Sequence, residues 1–174
     1  MNPLKRWLVW LSRIHKCQGF GIQSPTDFDF VRTVVNEHSP YYAYDEIETA
    51  DWLQRHLGQL YLRIANWRQP TTILTNGYQR WFQAGCRSAH ILSDLGDETL
   101  QLAHIEIEQC AQLEELYTHC QQESVIIVEG IHRDWNAWHA IEKDVRVGTT
   151  FDLYYCGIVF FDVQRYKHHY RINF

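Results

Sequence analysis

The sequence predicts an α/β protein: a helical first third, then strands alternating with helices into a mostly parallel sheet, and a closing antiparallel hairpin. Three observations carry this. Up to Trp67, apolar residues recur at three- and four-residue steps, the period of helices packed on one side. After Pro70, short β-branched runs alternate with helical stretches, the order that builds a parallel sheet with helices on its faces. Near the C-terminus two β-rich runs stand too close together for a parallel crossover and so pair as a hairpin. With 174 residues, 45% of them hydrophobic, the chain suits one compact unit, in which 1–68 form a helical arm and 69–174 the α/β domain.

The elements follow in order. Leu4, Trp7, Leu8, Leu11 and Ile14 form one stripe of a helix from Pro3 to Lys16, expected to pack on the domain. Lys5, Arg6, Arg13 and Lys16 lie off the stripe, and no acidic residue precedes Asp27. This basic amphipathic pattern also suits an anionic membrane surface, but packing on the domain accounts for it equally, so membrane contact is not expected. Gly19 and Gly21 mark a loop, and Ser24-Pro25 opens the next helix, with Ser24 as N-cap, Pro25 as first helical residue and Asp27 in the capping-box position. Phe28, Val31 and Val35 are its expected inner face. The Gly19-Phe20-Gly21 pattern follows a helix, so it is no nucleotide fingerprint. A third helix spans Asp45 to Trp67, with Ile47, Trp52, Leu53, Leu57, Leu60, Tyr61, Ile64 and Ala65 as its apolar face, and Gln69-Pro70 ends it. The predicted strands are Thr71–Thr75, Ser88–Leu92, Leu102–Ile107 and Ser124–Val128, each a buried run. Helices are predicted near Tyr78–Gly85, Cys110–Gln121 and Asp134–Lys143. Val145–Tyr154 and Gly157–Phe161 form the hairpin, and Arg171–Phe174 a final short strand.

Charge and cysteine usage narrow the function classes. A net charge of −5 and a pI near 6.0 argue against a surface built for nucleic acid, and the basic-aromatic tail Arg165–Arg171 reads more economically as the end of the sheet. Five scattered cysteines, Cys17, Cys86, Cys110, Cys120 and Cys156, with no C-x-x-C pair, point to reduced thiols in a cytoplasmic protein. The apolar run Trp7–Leu11 is too short for a signal-peptide core or a membrane span.

A parallel sheet closed by a reversed strand resembles the Rossmann-like class I S-adenosylmethionine-dependent methyltransferases. Phe20-Gly21-Ile22-Gln23-Ser24-Pro25, Ile131-His132 with Ala137-Trp138, Phe151-Asp152-Leu153-Tyr154 and Gly157-Ile158-Val159-Phe160-Phe161 resemble a methyltransferase-like family common in Bacteroidetes bacteria. The resemblance implies a cofactor turn after the first strand, normally acidic-x-Gly-x-Gly. Here that stretch reads Thr75-Asn76-Gly77-Tyr78-Gln79-Arg80-Trp81, with only Gly77 kept. It also implies a carboxylate after the second strand to grip the cofactor's ribose, which is Asp94. Asn76, Gly77 and Asp94 are thus the candidate cofactor-binding residues. Only eight positions separate Asp94 from Leu102, whereas a further strand with its helices takes at least ~30. One strand-helix unit is therefore missing.

Metal chemistry finds little support. Glu106, Glu108 and Glu129 stand near strand ends, but the turn Glu129-Gly130-Ile131-His132 carries one carboxylate where the proteins it resembles often carry consecutive aspartates. His132 and His139 could share a helical face, and His168 and His169 should point to opposite sides of a strand, yet no zinc spacing appears, and neither a P-loop nor a Gly-x-Ser-x-Gly elbow. The expectation is a degenerate relative of the methyltransferases, a non-catalytic binding or scaffolding module acting as a homodimer or beside a protein partner, with a small-molecule site. The alternative is an active small-molecule methyltransferase. S-adenosylmethionine is the one cofactor implied, and no metal is expected.

Overall fold

The computed structural model of the chain describes residues 3–49, 51–162 and 166–174; the side chains of Lys5 and Cys17, and Arg165 of the tail, lie outside the described residues. Two compact units emerge. A helical unit comprises Met1–Gln69, Tyr78–Arg87 and Ile172–Phe174, and a sheet unit comprises Pro70–Gly77 and Ser88–Arg171.

The sheet unit holds β1 (Thr72–Thr75), β2 (His90–Leu92), β3 (Leu100–Glu106), β4 (Cys120–Glu129), β5 (Thr149–Asp152), β6 (Cys156–Phe160) and β7 (His168–Arg171). Their order is β2-β1-β3-β4-β6-β5-β7. The first four run parallel, β6 is antiparallel to both β4 and β5, and β7 returns parallel to β5. The hairpin is therefore formed as its spacing requires, and its second strand slots between β4 and β5. Between β2 and β3, residues 93–99 run back past β1, from its carboxyl end to Thr72 at its amino end, without a helix or strand of their own.

Burial explains the residue types. Val125–Val128 of β4 and Leu102–Ile105 of β3 are buried in unbroken runs, as strands covered on both faces must be. One face packs Leu74, Ala103, Ile126, Val128 and Val159 against α6 (Leu113–His119) and α7 (Trp135–Lys143). Trp138 of α7, fully buried, lies over Gly157, where any Cβ would run into its ring. Asp134 caps α7 by accepting the Ala137 N–H at 2.9 Å.

The helical unit holds α1 (Pro3–Ser12), α2 (Pro25–Phe30), α3 (Ala43–Glu46), α4 (Trp52–Arg68) and α5 (Gln79–Gly85), with a 3-10 turn at Ile14–Gly19 after α1 and a wider π-helical turn at Val31–Val35 continuing α2. Ser24 caps α2 as expected, accepting the Asp27 N–H at 3.4 Å with Pro25 at the first position. The middle of α4 is buried, at Leu57, Gly58 and Leu60–Ala65, while Trp52 and Trp67 at its ends are exposed. It meets α5 closely: a Cβ on Gly85 would strike the Leu62 carbonyl, and one on Gly58 the Trp81 ring. Among the described residues no helix is long and apolar enough to cross a membrane.

Several expectations are corrected. The helix expected over Asp45–Trp67 is broken, because Ile47 is extended and the Asp51 carboxylate accepts the Gln54 N–H at 3.0 Å, starting α4 afresh. The stripe of α1 is not packed: Leu4, Trp7 and Leu8 are more than half exposed, while Arg13 is buried and donates to the Ile172 carbonyl. Phe28 faces outward, although Val31 and Val35 are buried. The helix expected over Cys110–Gln121 begins at Leu113, because Glu106 and Gln109 form a reciprocal cap that winds Ile107–Gln112 into a 3-10 turn. The strand run from Val145 starts only at Thr149, since the Val147 N–H closes a turn on the Asp144 carbonyl. The final strand lies at His168–Arg171, and the chain beyond it leaves the sheet, with the Asn173 N–H bonded to the Lys16 carbonyl at 3.1 Å.

Candidate functional site

From β1 the chain turns to β2 on one side of it and then crosses to β3 on the other. In an open parallel sheet this reversal leaves a crevice beyond the carboxyl ends of the central strands. A cavity of about 310 Å3 lies there. It is lined by Thr75 and Asn76 after β1, Ser93 and Asp94 after β2, and His104 and Ile105 of β3, with Gln109, Gln112, Glu115 and Leu116 beyond.

Thr75 and His104 face each other in register across β1 and β3. The Thr75 Oγ1 lies 3.1 Å from His104 Nδ1, and His104 Nε2 lies 3.1 Å from the Glu129 carboxylate at the end of β4. Thr75 is 1% and His104 7% exposed, so this chain of three side chains ties the tips of three strands in a setting where an unmet partner is costly. Both ring nitrogens of His104 are engaged, and neither is left to take a proton from a ligand. Thr75→Val, which keeps the shape and removes the hydroxyl, is expected to cost about 1–3 kcal/mol by stranding His104 Nδ1. Urea unfolding checks this, and an unchanged midpoint would remove the tie from the account.

The structure brings Asn76 and Asp94 to one cavity. Asp94 carries an exposed carboxylate that accepts from the Ser93 hydroxyl at 3.2 Å. Gly77 donates its N–H to Thr75 Oγ1 at 3.1 Å and accepts from that hydroxyl through its carbonyl. A Cβ on Gly77 would meet nothing closer than His104 Cε1 at 4.0 Å. The left-handed residue of this turn is Tyr78, at φ 61°, a conformation that costs a side-chain-bearing residue about 1–2 kcal/mol.

The remaining candidates are dispersed. Glu106 and Glu108 both pair with Arg133, at 2.9 and 3.1 Å, and Glu129 serves His104, so the strand-end carboxylates face cations or imidazole. His132 stacks on Tyr154, whereas His139 pairs with Glu142 at 2.6 Å. His168 stacks on Tyr170, and His169 meets Thr150 Oγ1 at 2.8 Å, on alternate sides of β7. Among the described residues no group of three or more His, Cys, Asp or Glu could hold a metal ion. Cys86, Cys110, Cys120 and Cys156 are free thiols, and burial pushes that of Cys120 up to about 11, well away from reactivity.

His104 belongs to no sequence motif. Its one signal is an imidazole between apolar residues, in Leu102-Ala103-His104-Ile105. Comparison with known proteins finds no matching family model, no matching curated protein and no matching solved structure.

Proposed function

We propose that the chain is a methyltransferase-like α/β domain that binds a nucleoside of the S-adenosylmethionine class at the sheet's carboxyl edge and does not transfer the methyl group. The observation that carries this reading is the meeting of Asn76 and Asp94, from the ends of β1 and β2, in one cavity at the crossing point of the sheet. The strand order supports it as well. It reads as a doubly wound sheet whose outermost strand beyond β2 is lacking, with β6 reversed in the manner of the methyltransferases it resembles.

The lining suits such a ligand. It contains the carboxylates Asp94 and Glu115 and no Lys or Arg, which favours a neutral or cationic ligand and opposes a polyphosphate. Asp94 would accept from ribose hydroxyls, Leu95, Ile105 and Leu116 offer apolar cover for a base, and Asn76 offers an amide to the polar tail. S-adenosylmethionine, when bound, would supply a sulfonium carrying a transferable methyl group. Against transfer stands the engagement of both His104 nitrogens, which leaves the cavity without a free imidazole base. A binding role with a partner, protein or second copy, is supported by the exposed apolar residues of α1, Leu4, Trp7 and Leu8.

Titration calorimetry with S-adenosylmethionine and S-adenosylhomocysteine, beside a thermal-shift scan, tests the reading, since a ligand that binds only the folded state raises its melting temperature. S-adenosylmethionine, with its extra positive charge, is expected to bind more tightly. Asp94→Ala is expected to weaken it about tenfold or more, through loss of a charge-assisted hydrogen bond. Absence of heat and of a melting shift at millimolar ligand would sink the reading, and methyl transfer to any acceptor would replace the non-catalytic role by an enzymatic one.

A further inference from the structure

The helical unit has a cavity of its own, of about 650 Å3, with Arg63 in its wall. Arg63 is only 6% exposed. A buried charge is tolerated when an opposite charge or a full set of acceptors meets it. The partners of Arg63 are all neutral: the Val34 carbonyl at 2.7 Å, the Val35 carbonyl at 3.1 Å and the Tyr44 hydroxyl at 3.0 Å. Among the described residues no carboxylate forms an ion pair with it. A guanidinium carries five N–H donors, so donors on its terminal nitrogens remain to be met.

A second unmet donor stands in the same wall. The Asn36 Nδ2 is buried and has no hydrogen-bond partner, an arrangement that native proteins seldom leave without a reason. Glu37, the one acidic residue of the wall, forms no ion pair with Arg63: its carboxylate accepts the Ser39 N–H at 2.7 Å, the bond that chiefly lowers its pKa, and the Arg63 charge adds only a smaller pull in the same direction. Flat rings complete the site. His56 stacks between Trp52 and Phe174, with ring centroids 4.7 and 4.1 Å away. Burial, then the charges of Arg63 and Arg6, pull the His56 pKa down to about 4, so the ring is neutral at neutral pH.

We propose that this cavity binds a small aromatic carboxylate, its anion held by Arg63 and Asn36 and its ring lying among His56, Tyr44 and Phe174. The anion is a carboxylate rather than a phosphate for two reasons. One positive charge without an ion-pair partner suits a single negative charge, and Glu37 in the wall, which shares that field, opposes a second. The planar pair of carboxylate oxygens also matches the fork of a guanidinium.

The test uses the full-length protein and three probes: benzoate, its neutral isostere benzamide, and phenyl phosphate, followed by ligand-observed NMR. Benzoate is expected to saturate, and to bind about tenfold or more tightly than benzamide, the ratio that a charge-assisted hydrogen bond supplies. Phenyl phosphate is expected to be the weaker anion. Arg63→Met should abolish benzoate binding, but it also cuts the ties to Val34, Val35 and Tyr44. Asn36→Leu therefore provides the cleaner variant: the melting temperature should hold while benzoate affinity drops about fivefold or more. The proposal is overturned if benzamide binds as well as benzoate, if phenyl phosphate binds more tightly, if Asn36→Leu leaves benzoate affinity unchanged, or if no probe saturates by about 10 mM.

Discussion

Trp138→Ala is expected to lower the stability of the sheet unit by about 3–5 kcal/mol, the cost of emptying a large core site that cannot collapse. Such a loss is a large part of the stability of an ordinary domain, and the variant should unfold at far lower urea than the parent. The ring is fully buried, packs with the apolar face of β3 and β4, and rests on Gly157, which carries no side chain to move into the gap. Trp138→Phe, which keeps an aromatic body in place, should cost markedly less. Urea unfolding followed by circular dichroism decides the matter. A loss below about 1 kcal/mol for the alanine variant would mean that the site closes in after all.

Acid should destabilise the helical unit well before its carboxylates titrate. Burial and the neighbouring guanidinium groups lower the His56 pKa from 6.5 to about 4. In the unfolded chain this imidazole takes up a proton near pH 6.5, while in the folded state it stays neutral until about pH 4. The unfolded state thus binds more protons throughout that window, and stability falls as the pH is lowered through it. The loss reaches about 3 kcal/mol by pH 4. His169, lowered by burial as well, gives the sheet unit an acid sensitivity of the same sign. His56→Phe, which keeps a flat ring between Trp52 and Phe174, should therefore flatten the pH profile of the helical unit between about pH 6.5 and 4. An unaltered profile in that variant would show that other groups account for the acid sensitivity.

What could be read from the sequence follows from the range over which each interaction acts. The central strands β1, β3 and β4 are legible because burial on both faces demands β-branched and aliphatic runs, although β4 starts at Cys120, ahead of the expected Ser124, and β2, expected as a buried run, is exposed at His90 and only half-buried beyond it. The reversed β6 was legible because Tyr155-Cys156 leaves no room for a crossover. Asn76 and Asp94 could be placed because they follow directly from where β1 and β2 end. The tie between Thr75, His104 and Glu129 could not, since it depends on the register of three strands distant in sequence. The break before α4 turned on a single carboxylate, that of Asp51, capping a helix inside an otherwise continuous pattern. Periodicity in α1 correctly grouped its apolar residues but was silent on whether anything covers them. Arg63 gave no warning either: a charged residue among Leu62 and Ile64 reads as a solvent-facing position until the Val34 and Val35 carbonyls are brought to it.

The sheet ends at β2, a strand of three residues. The margin of any sheet is a row of unpaired backbone donors and acceptors on which a foreign strand can be templated. At about 3.3 Å per residue, β2 offers roughly 10 Å of such a margin, enough for its own pairing with β1 and too little to seat a second molecule in register. Brevity here is a safeguard against edge-to-edge polymerisation. Lengthening β2 by a turnless apolar insertion would convert the end of the sheet into a nucleus for fibrils.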